Sequence, residues 1–317
     1  MNRLAIGLGL VAGLWAGSAA IAHDGLPIGD GKIAREPRVG HVFVCETRFG
    51  GGGAQRVGPW VREGFWFAGE KIAVRGNVPW PNARFSIAVE GRDRVIRANN
   101  LPNHASGQFP VRADDPAYAY DRNPNTIREQ GIVWRLPAQP VPAAHPTCVP
   151  MGQIGIALSG VAIYNALDGL GRDAPAYEIQ DACGGHPERS GQYHYHDLSP
   201  CLDDREGKAG RHSALLGYAL DGFGIFGPVG DDGKEVGNAA LDACHGHVHE
   251  VPWDGRRVTI YHYHFTREYP YTLGCFRGAV DRTLFAGGGG AGGGPPNGQR
   301  PPGPPPGGGR PAGPPPR

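Results

Sequence analysis

The histidines with the clearest chemical potential lie in two identical Tyr-His-Tyr-His tetrapeptides, at residues 193–196 and 261–264. Side chains alternate between the faces of a β-strand, so the two histidines of each tetrapeptide point the same way. Their spacing, two rises of about 3.3 Å, lets both imidazoles reach one metal ion. Neutral imidazole is also the commonest protein ligand for transition metals. The pattern predicts one metal site built from His194, His196, His262 and His264.

Further polar residues accompany the tetrapeptides in matching positions. His186 and His247 follow two Asp-Ala-Cys elements and are the next predicted ligands, while His245 and His249 lie close to the second element. The aspartates of these elements could orient the imidazole rings or could cap turns, and the sequence leaves both roles open. A metal-free alternative is a buried polar ladder in which carbonyls or carboxylates satisfy each ring. The aspartates concerned are Asp181 and Asp242.

Copper is favoured over zinc as the bound ion. Imidazole-rich sites suit Cu, Zn, Fe or Ni, so the ligands alone do not separate these metals. Beyond Met1 the chain has only Met151, which argues against a thioether-rich Cu(I) carrier. Cysteines held in disulfides argue against a blue-copper centre and against structural thiolate zinc. Export from the cytoplasm, which the N-terminal segment predicts, favours copper or zinc over ferrous iron.

An internal repeat organises the second half of the chain. Residues 155–201 and 217–275 share a Gly-x-Ala-Leu-x-Gly run, then Asp-Ala-Cys, then Tyr-His-Tyr-His, and each ends in a cysteine. Two copies are too few for a solenoid, so the repeat predicts a pseudo-twofold pair that shares one core. The alternating apolar residues around the second tetrapeptide, at 258–265, are typical of a β-strand.

Composition points to a mainly β protein. The 317 residues include 53 Gly and 31 Pro, and both residue types disfavour helix interiors. With 31 Lys and Arg against 30 Asp and Glu, the chain lacks the basic excess of a nucleic-acid binder. We predict an N-terminal β-rich segment at 23–150, joined by disulfides to a duplicated histidine-rich lobe at 151–285, and a disordered Gly/Pro-rich tail at 286–317.

The N-terminus has the features of a secretory signal. Residues 1–22 contain a basic start, a short apolar stretch and a small-x-small site ending at Ala22, and no later segment is apolar enough to span a bilayer. Cleavage near Ala22 would deliver the protein to the periplasm or outside the cell. Six cysteines in an oxidising compartment predict three disulfides, with 15 pairings open. They are Cys45, Cys148, Cys183, Cys201, Cys244 and Cys275.

Further motifs accompany the tetrapeptides: Asn-Asn-Leu-Pro-Asn-His at 99–104, Gly-Gln-Phe-Pro at 107–110, Asn-Pro-Asn at 123–125 with Gln130, and the Gly-rich run 217–227. Over roughly residues 40–276 the chain resembles the YHYH domain family. The resemblance implies an exported domain with a histidine-rich core, and it supplies no reaction or substrate. It adds Asn103 and His104 as site candidates. Where the family usually shows Pro-Ile-Tyr, this chain has Gly224-Ile225-Phe226, so a functional hydroxyl is excluded at Phe226.

These observations favour an exported metal-binding protein whose only implied partner is the metal ion. A metal-dependent enzyme, either a hydrolase or a copper oxidoreductase, is the first alternative, because an open coordination position could activate water or oxygen. No Gly-x-Ser-x-Gly or His-Glu-x-x-His motif supports it independently. A metal-free structural or interaction domain, with the tail as a spacer, is the second alternative.

Overall fold

The structure is a computed structural model that describes residues 25–202 and 211–286. The predicted signal segment with its cleavage site, and the predicted tail beyond residue 286, lie outside the described residues. As predicted, the protein is mainly β. The strands are β1 (Leu26–Pro27), β2 (Ile33–Ala34), β3 (Val42–Phe43), β4 (Val61–Arg62), β5 (Phe65–Trp66), β6 (Phe85–Glu90), β7 (Asp93–Ala98), β8 (Ile132–Pro137), β9 (Pro142–Thr147), β10 (Gln153–Ala157), β11 (Ala162–Tyr164), β12 (Gly185–Pro187), β13 (Tyr193–Tyr195), β14 (Leu215–Ala219), β15 (Gly224–Phe226), β16 (Gly246–Trp253), β17 (Arg256–His264) and β18 (Phe276–Gly278).

Helical structure is confined to short turns in the part of the chain described. One α-helix, α1 (Ala174–Tyr177), follows the N-cap residue Asp173, whose side chain accepts a hydrogen bond from the Ala176 amide. The 3₁₀ helices are Ala68–Glu70, Pro116–Ala119 and Arg282–Ala286. Among the described residues, no helix has the length and apolar character needed to cross a membrane.

An eight-stranded sheet forms the centre of the molecule, in the order β12-β13-β11-β10-β14-β15-β17-β16. The first four strands come from the first sequence repeat and the last four from the second. Each half contains one parallel pair, β11 with β13 and β15 with β17, flanked by antiparallel pairs. Strands that correspond in sequence therefore occupy mirrored positions in the strand order.

The two halves meet at β10 and β14, which pair through corresponding residues. Ile156 faces Tyr218, the residue that occupies the same place in the second repeat. Glycine is required on both sides of this pair, because a Cβ at Gly155 would lie 2.7 Å from the Tyr218 carbonyl and one at Gly217 would lie 2.6 Å from the Ile156 carbonyl. This symmetric pairing supports our interpretation of the repeat as a pseudo-twofold pair.

The N-terminal part packs on this sheet through smaller sheets. These have the strand orders β1-β5-β4 and β6-β7-β8, with a β2-β3 pair and a β9-β18 pair. The β9-β18 pair joins the N-terminal part to the end of the second repeat. Buried Trp60 and Ile96 belong to the same hydrophobic core as Tyr193 and Tyr263 of the tetrapeptides. One continuous core therefore connects the two parts.

The six cysteines form three disulfides, which confirms the prediction that all of them are paired. Cys45 is bonded to Cys148, Cys183 to Cys201, and Cys244 to Cys275. The last two bridges occupy equivalent places in the two repeats. The first bridge fixes the start of the N-terminal part to the segment that precedes β10.

Candidate metal centres

The β16–β17 hairpin brings two histidines of the second repeat face to face. His247 on β16 lies directly opposite His262 on β17, and His264 follows two residues later on the same face. His212, from the segment before β14, completes the four-histidine cluster. His262 and His264 are fully buried, whereas His212 and His247 are partly exposed.

The Nε2 atoms of the four-histidine cluster converge on one point. The Nε2 of His262 lies 3.1 Å from that of His212 and 3.2 Å from that of His247. The Nε2 of His264 lies 3.1 Å from that of His247. Four ring nitrogens at such distances could be ligands of a single metal ion.

Backbone carbonyls determine which ring nitrogens carry protons. The Nδ1 atoms of His212, His262 and His264 lie 2.9, 3.1 and 2.6 Å from carbonyl oxygens. A carbonyl only accepts, so each Nδ1 must donate, and a neutral ring then presents a lone pair at Nε2. Lone pairs that face one another at about 3 Å repel unless a positive charge lies between them. The carbonyls belong to Ser213, Ile260 and Gly227.

Protons do not supply that charge at neutral pH. Burial, together with a smaller effect of the neighbouring imidazoles, lowers the pKa of His247 to about 4, of His262 to about 3 and of His264 to about 2. The pKa of His212 is also lowered, mainly by burial. The arrangement is therefore suited to a metal cation, because imidazole binds metal in its neutral form.

The first repeat has a cluster of a different composition, which we call the three-histidine cluster: His186, His194 and His196 with Glu178. The Nε2 atoms of His194 and His196 are 3.1 Å apart. Glu178 Oε2 lies 3.1 Å from the Nε2 of His186 and 3.0 Å from that of His196. All four side chains are at least nine-tenths buried. The three imidazoles can offer ligand atoms within 4.8 Å of one another, and the Glu178 carboxylate lies beside two of them.

The same backbone positions fix the imidazoles in both repeats. The Nδ1 of His194 is 3.0 Å from the Gln192 carbonyl, and that of His196 is 2.5 Å from the Asn165 carbonyl. In the second repeat the corresponding carbonyls belong to residues 260 and 227. Both tetrapeptides therefore hold their rings in one tautomer and present Nε2 to the cluster.

Several buried atoms of the three-histidine cluster have no hydrogen bond in the described chain. Both ring nitrogens of His186 and the Oε2 of Glu178 are unpartnered. Burial alone would raise the pKa of Glu178, but His186 and His196 outweigh it and hold that pKa well below its usual range. Although burial opposes it, the ionised Glu178 raises the pKa of His196, so either a proton or a metal cation can neutralise this buried carboxylate.

A cavity of about 830 Å³ adjoins the three-histidine cluster. Its wall includes the backbone of residues 50–53 and the ring of Tyr164, which stacks on His194 at 3.8 Å. The Tyr164 hydroxyl donates to Gln192 Oε1 at 2.6 Å. In the second repeat Phe226 takes this place and meets His262 edge-on at 4.8 Å. The two clusters therefore differ in their aromatic neighbours as well as in their ligands.

The structure corrects the expectation of a single site shared by both tetrapeptides. Four strands separate β13 from β17 in the central sheet, which places the two clusters roughly 24 Å apart at about 4.8 Å per strand. His194 and His196 therefore belong to one cluster, and His262 and His264 to the other. His186 and His247 lie one in each cluster, beside the tetrapeptide of their own repeat.

The two predicted aspartates stabilise turns and do not touch the imidazoles. Asp181 Oδ1 accepts hydrogen bonds from the Cys183 and Gly185 amides, and its carboxylate accepts one from the Tyr193 hydroxyl. Asp242 accepts the equivalent three hydrogen bonds in the second repeat. Of the two roles left open by the sequence, the structure places both residues in turn capping.

The other predicted residues lie outside the two clusters. His245 is buried and its Nε2 contacts the Thr266 hydroxyl at 2.8 Å. His249 stacks on His247 at 5.0 Å without joining the four converging nitrogens. The Nε2 of His104 contacts the Tyr195 hydroxyl at 2.5 Å, and Asn103 lines a separate small cavity. Neither His104 nor Asn103 reaches an Nε2 of either cluster.

The sequence did not predict two residues of the clusters. Glu178 lies beside two imidazoles of the first cluster and His212 adds the fourth ligand atom of the second, but neither has a counterpart in the other repeat. His212 also lies outside both sequence repeats, 155–201 and 217–275, which contain the other histidines of the clusters. Only the unusual number of histidines in the lobe could have pointed to His212.

Comparison with known families supports the resemblance described above. A family profile described as YHYH protein matches residues 133–236. The matched segment, about a third of the chain, is similar to the YHYH family. The YHYH match includes the whole three-histidine cluster and His212, and it ends before the hairpin that carries the other three histidines. No curated protein and no solved structure matches the chain.

Proposed function

We propose that this is an exported metal-binding protein with two transition-metal sites, the three-histidine cluster and the four-histidine cluster. The observation that carries the proposal is the convergence of Nε2 lone pairs whose Nδ1 atoms face backbone carbonyls. The signal-like residues 1–22 and the three disulfides support export to an oxidising compartment.

Copper is the preferred ion in this proposal. Nitrogen and oxygen sites generally bind Cu²⁺ more tightly than Zn²⁺ or the other divalent first-row metals. The ligand atoms are imidazole nitrogens in both clusters, with the Glu178 carboxylate oxygen beside one of them, and all six cysteines are held in disulfides. Zinc is the second choice, since four-coordinate sites with imidazole and carboxylate ligands suit it as well.

Elemental analysis of purified protein, after loading with Cu²⁺ or Zn²⁺ and desalting, tests the proposal. The parent should hold two ions per chain and prefer copper when both metals are offered. The double variants His194→Ala/His196→Ala and His262→Ala/His264→Ala should each hold one. His145→Ala, which removes an exposed histidine on β9, is the matched control and should hold two. A metal-free parent, or double variants with full stoichiometry, would overturn the proposal.

A metal-dependent enzyme is a second candidate, favoured by the cavity of about 830 Å³ beside the three-histidine cluster. A metal bound to the three-histidine cluster would supply Lewis-acid or redox chemistry at the wall of this cavity. Tyr164 and Glu188 line the same cavity and could contact a substrate. Hydrolysis of ester and phosphodiester substrates and oxygen consumption with a reductant should then depend on His186. Activity that survives His186→Ala would contradict this second candidate.

A further inference from the structure

We propose that His249 and Asp231, together with His212, form an outer metal site that loads the four-histidine cluster. This inference rests on the proposed metal binding and concerns how the ion reaches its final position. We call these three residues the outer group. Their ligand atoms all lie within 4.8 Å of one another.

The outer group continues a line of imidazoles from the interior to the surface. His249 lies two residues beyond His247 on the same face of β16, and the two rings stack at 5.0 Å with an angle of 17°. His264 and His262, at the inner end, are fully buried. The side chains of His249 and Asp231, at the outer end, are 32% and 48% exposed. An ion from solvent meets the outer group first.

The contact between His249 and Asp231 resembles a pair of ligands more than a hydrogen bond. The Nδ1 of His249 lies 3.0 Å from Oδ2 of Asp231. Despite that distance, this buried nitrogen has no hydrogen-bond partner within residues 25–202 and 211–286. A cation placed beside both atoms would satisfy each of them.

His212 belongs to both groups and therefore connects them. Its Nε2 is 3.1 Å from that of His262 in the inner cluster, and its ring lies 6.0 Å from the ring of His249. An ion held by the outer group can keep His212 as a ligand while it exchanges His249 and Asp231 for inner imidazoles. Transfer would then proceed without release of the ion to water.

Charge and ligand type give the transfer a direction. Asp231 places a negative charge at the surface, where it raises the local concentration of cations. The inner cluster offers four imidazoles, which transition metals prefer to a mixed set with one carboxylate. A cavity of about 720 Å³, lined by His212, Phe226 and Asp231, lies beside this path. The outer group therefore captures the ion and the inner cluster retains it.

Loading kinetics test the proposal in a His194→Ala/His196→Ala background, where the four-histidine cluster is the remaining site. Apo protein is mixed with Cu²⁺ or Co²⁺ in a stopped-flow instrument, and the metal absorption bands are followed. Asp231→Asn and His249→Ala should slow loading by about tenfold or more at low salt and leave the final stoichiometry unchanged. Asp232→Asn, the same charge change at the adjacent residue paired with Lys234, should load like the parent.

An equilibrium measurement complements the kinetics. With His262→Ala/His264→Ala added to the same background, equilibrium titration should still detect one Cu²⁺, held weakly enough to be removed by desalting, and Asp231→Asn should abolish this binding. Equal loading rates for Asp231→Asn and Asp232→Asn, with normal final metal content, would overturn the outer site and leave the proposed function standing. A parent that takes up neither Cu²⁺ nor Co²⁺ would overturn both.

Discussion

Glu178 and His212 complete the two clusters from positions that are not equivalent in the repeat. His212 lies five residues before Gly217, and the corresponding residue in the first repeat is Pro150. Glu178 lies three residues before Asp181, and its counterpart is Ala239. A divalent ion would therefore carry a net charge of +1 beside Glu178 and +2 in the four-histidine cluster. The two similar halves of the central sheet would thus present different environments to a metal ion.

Replacement of Glu178 by Gln should weaken metal binding at the three-histidine cluster alone. The substitution removes the buried charge that faces His186 and His196 while the side chain keeps its size. Interactions with a charged group contribute about 1.5–3 kcal/mol, so affinity should fall by roughly tenfold or more. Titration with Cu²⁺ in the His262→Ala/His264→Ala background measures this fall in affinity. Glu188→Gln, on the same cavity wall, is the control, and equal affinities for the two variants would contradict the assignment.

The stability of the apo protein should fall as the pH drops below about 6.5. An unfolded histidine binds a proton near that pH, whereas His262 and His264 have folded pKa values of about 3 and 2. The unfolded state therefore binds more protons at acid pH, and each of these rings should cost about 1 kcal/mol by pH 5.5. The contribution of these two neutral rings to stability is fully present above pH 6.5 and is lost as the pH falls towards their folded pKa values.

Urea unfolding of chelator-treated protein at pH 7.5 and 5.5 measures this dependence. The informative quantity is the difference between the parent and His262→Gln/His264→Gln, because other titrating groups contribute equally to both. The double variant should lose less stability on acidification than the parent. Parallel losses would show that these two rings do not carry the pH dependence.

Gly155→Ala should destabilise the junction between the two halves of the sheet. The added Cβ would lie 2.7 Å from the Tyr218 carbonyl, a backbone atom that a side-chain rotation cannot relieve. Overpacking of this kind costs about 1–3 kcal/mol, which lowers Tm by several degrees in a chain of this size. Thermal unfolding followed by circular dichroism measures the shift. Gly131→Ala has open space around its Cβ and should unfold near the parent temperature.

Asp242→Ala should reduce stability without changing metal affinity. The carboxylate accepts hydrogen bonds from the Cys244 and Gly246 amides and from the Tyr261 hydroxyl, and it touches no imidazole. Loss of these hydrogen bonds should cost about 1–3 kcal/mol. Copper titration and urea unfolding on the same variant separate the two effects. Tyr261→Phe removes only the hydrogen bond from the phenol and measures its share of the lost stability. A loss of copper affinity in Asp242→Ala would contradict the prediction and indicate that Asp242 orients the imidazole rings.

Patterns local in sequence predicted much of this architecture. The alternation of Tyr and His indicated that His194 and His196 share a face, and the even number of cysteines indicated disulfides. Strand geometry explains the shared face, and an even number of cysteines behind a signal-like segment predicts disulfides; neither inference needs knowledge of the remaining chain.

The composition of each cluster depends on contacts that sequence does not encode locally. The strand order keeps the tetrapeptides apart, and it follows from the pairing of β10 with β14 rather than from either tetrapeptide. Comparing the two repeats could not find Glu178, because its counterpart is an alanine. The carbonyls of Asn165 and Gly227 that fix the imidazoles have no side-chain signature.

The central pairing of β10 with β14 has a consequence for how such a protein can diversify. Two separate copies of one half could meet through the same self-complementary strands and rebuild the sheet as a homodimer. In that assembly the two metal clusters would have to be identical, because one sequence would build both. A single chain removes this constraint, so that a carboxylate can enter one cluster while the other keeps imidazoles alone.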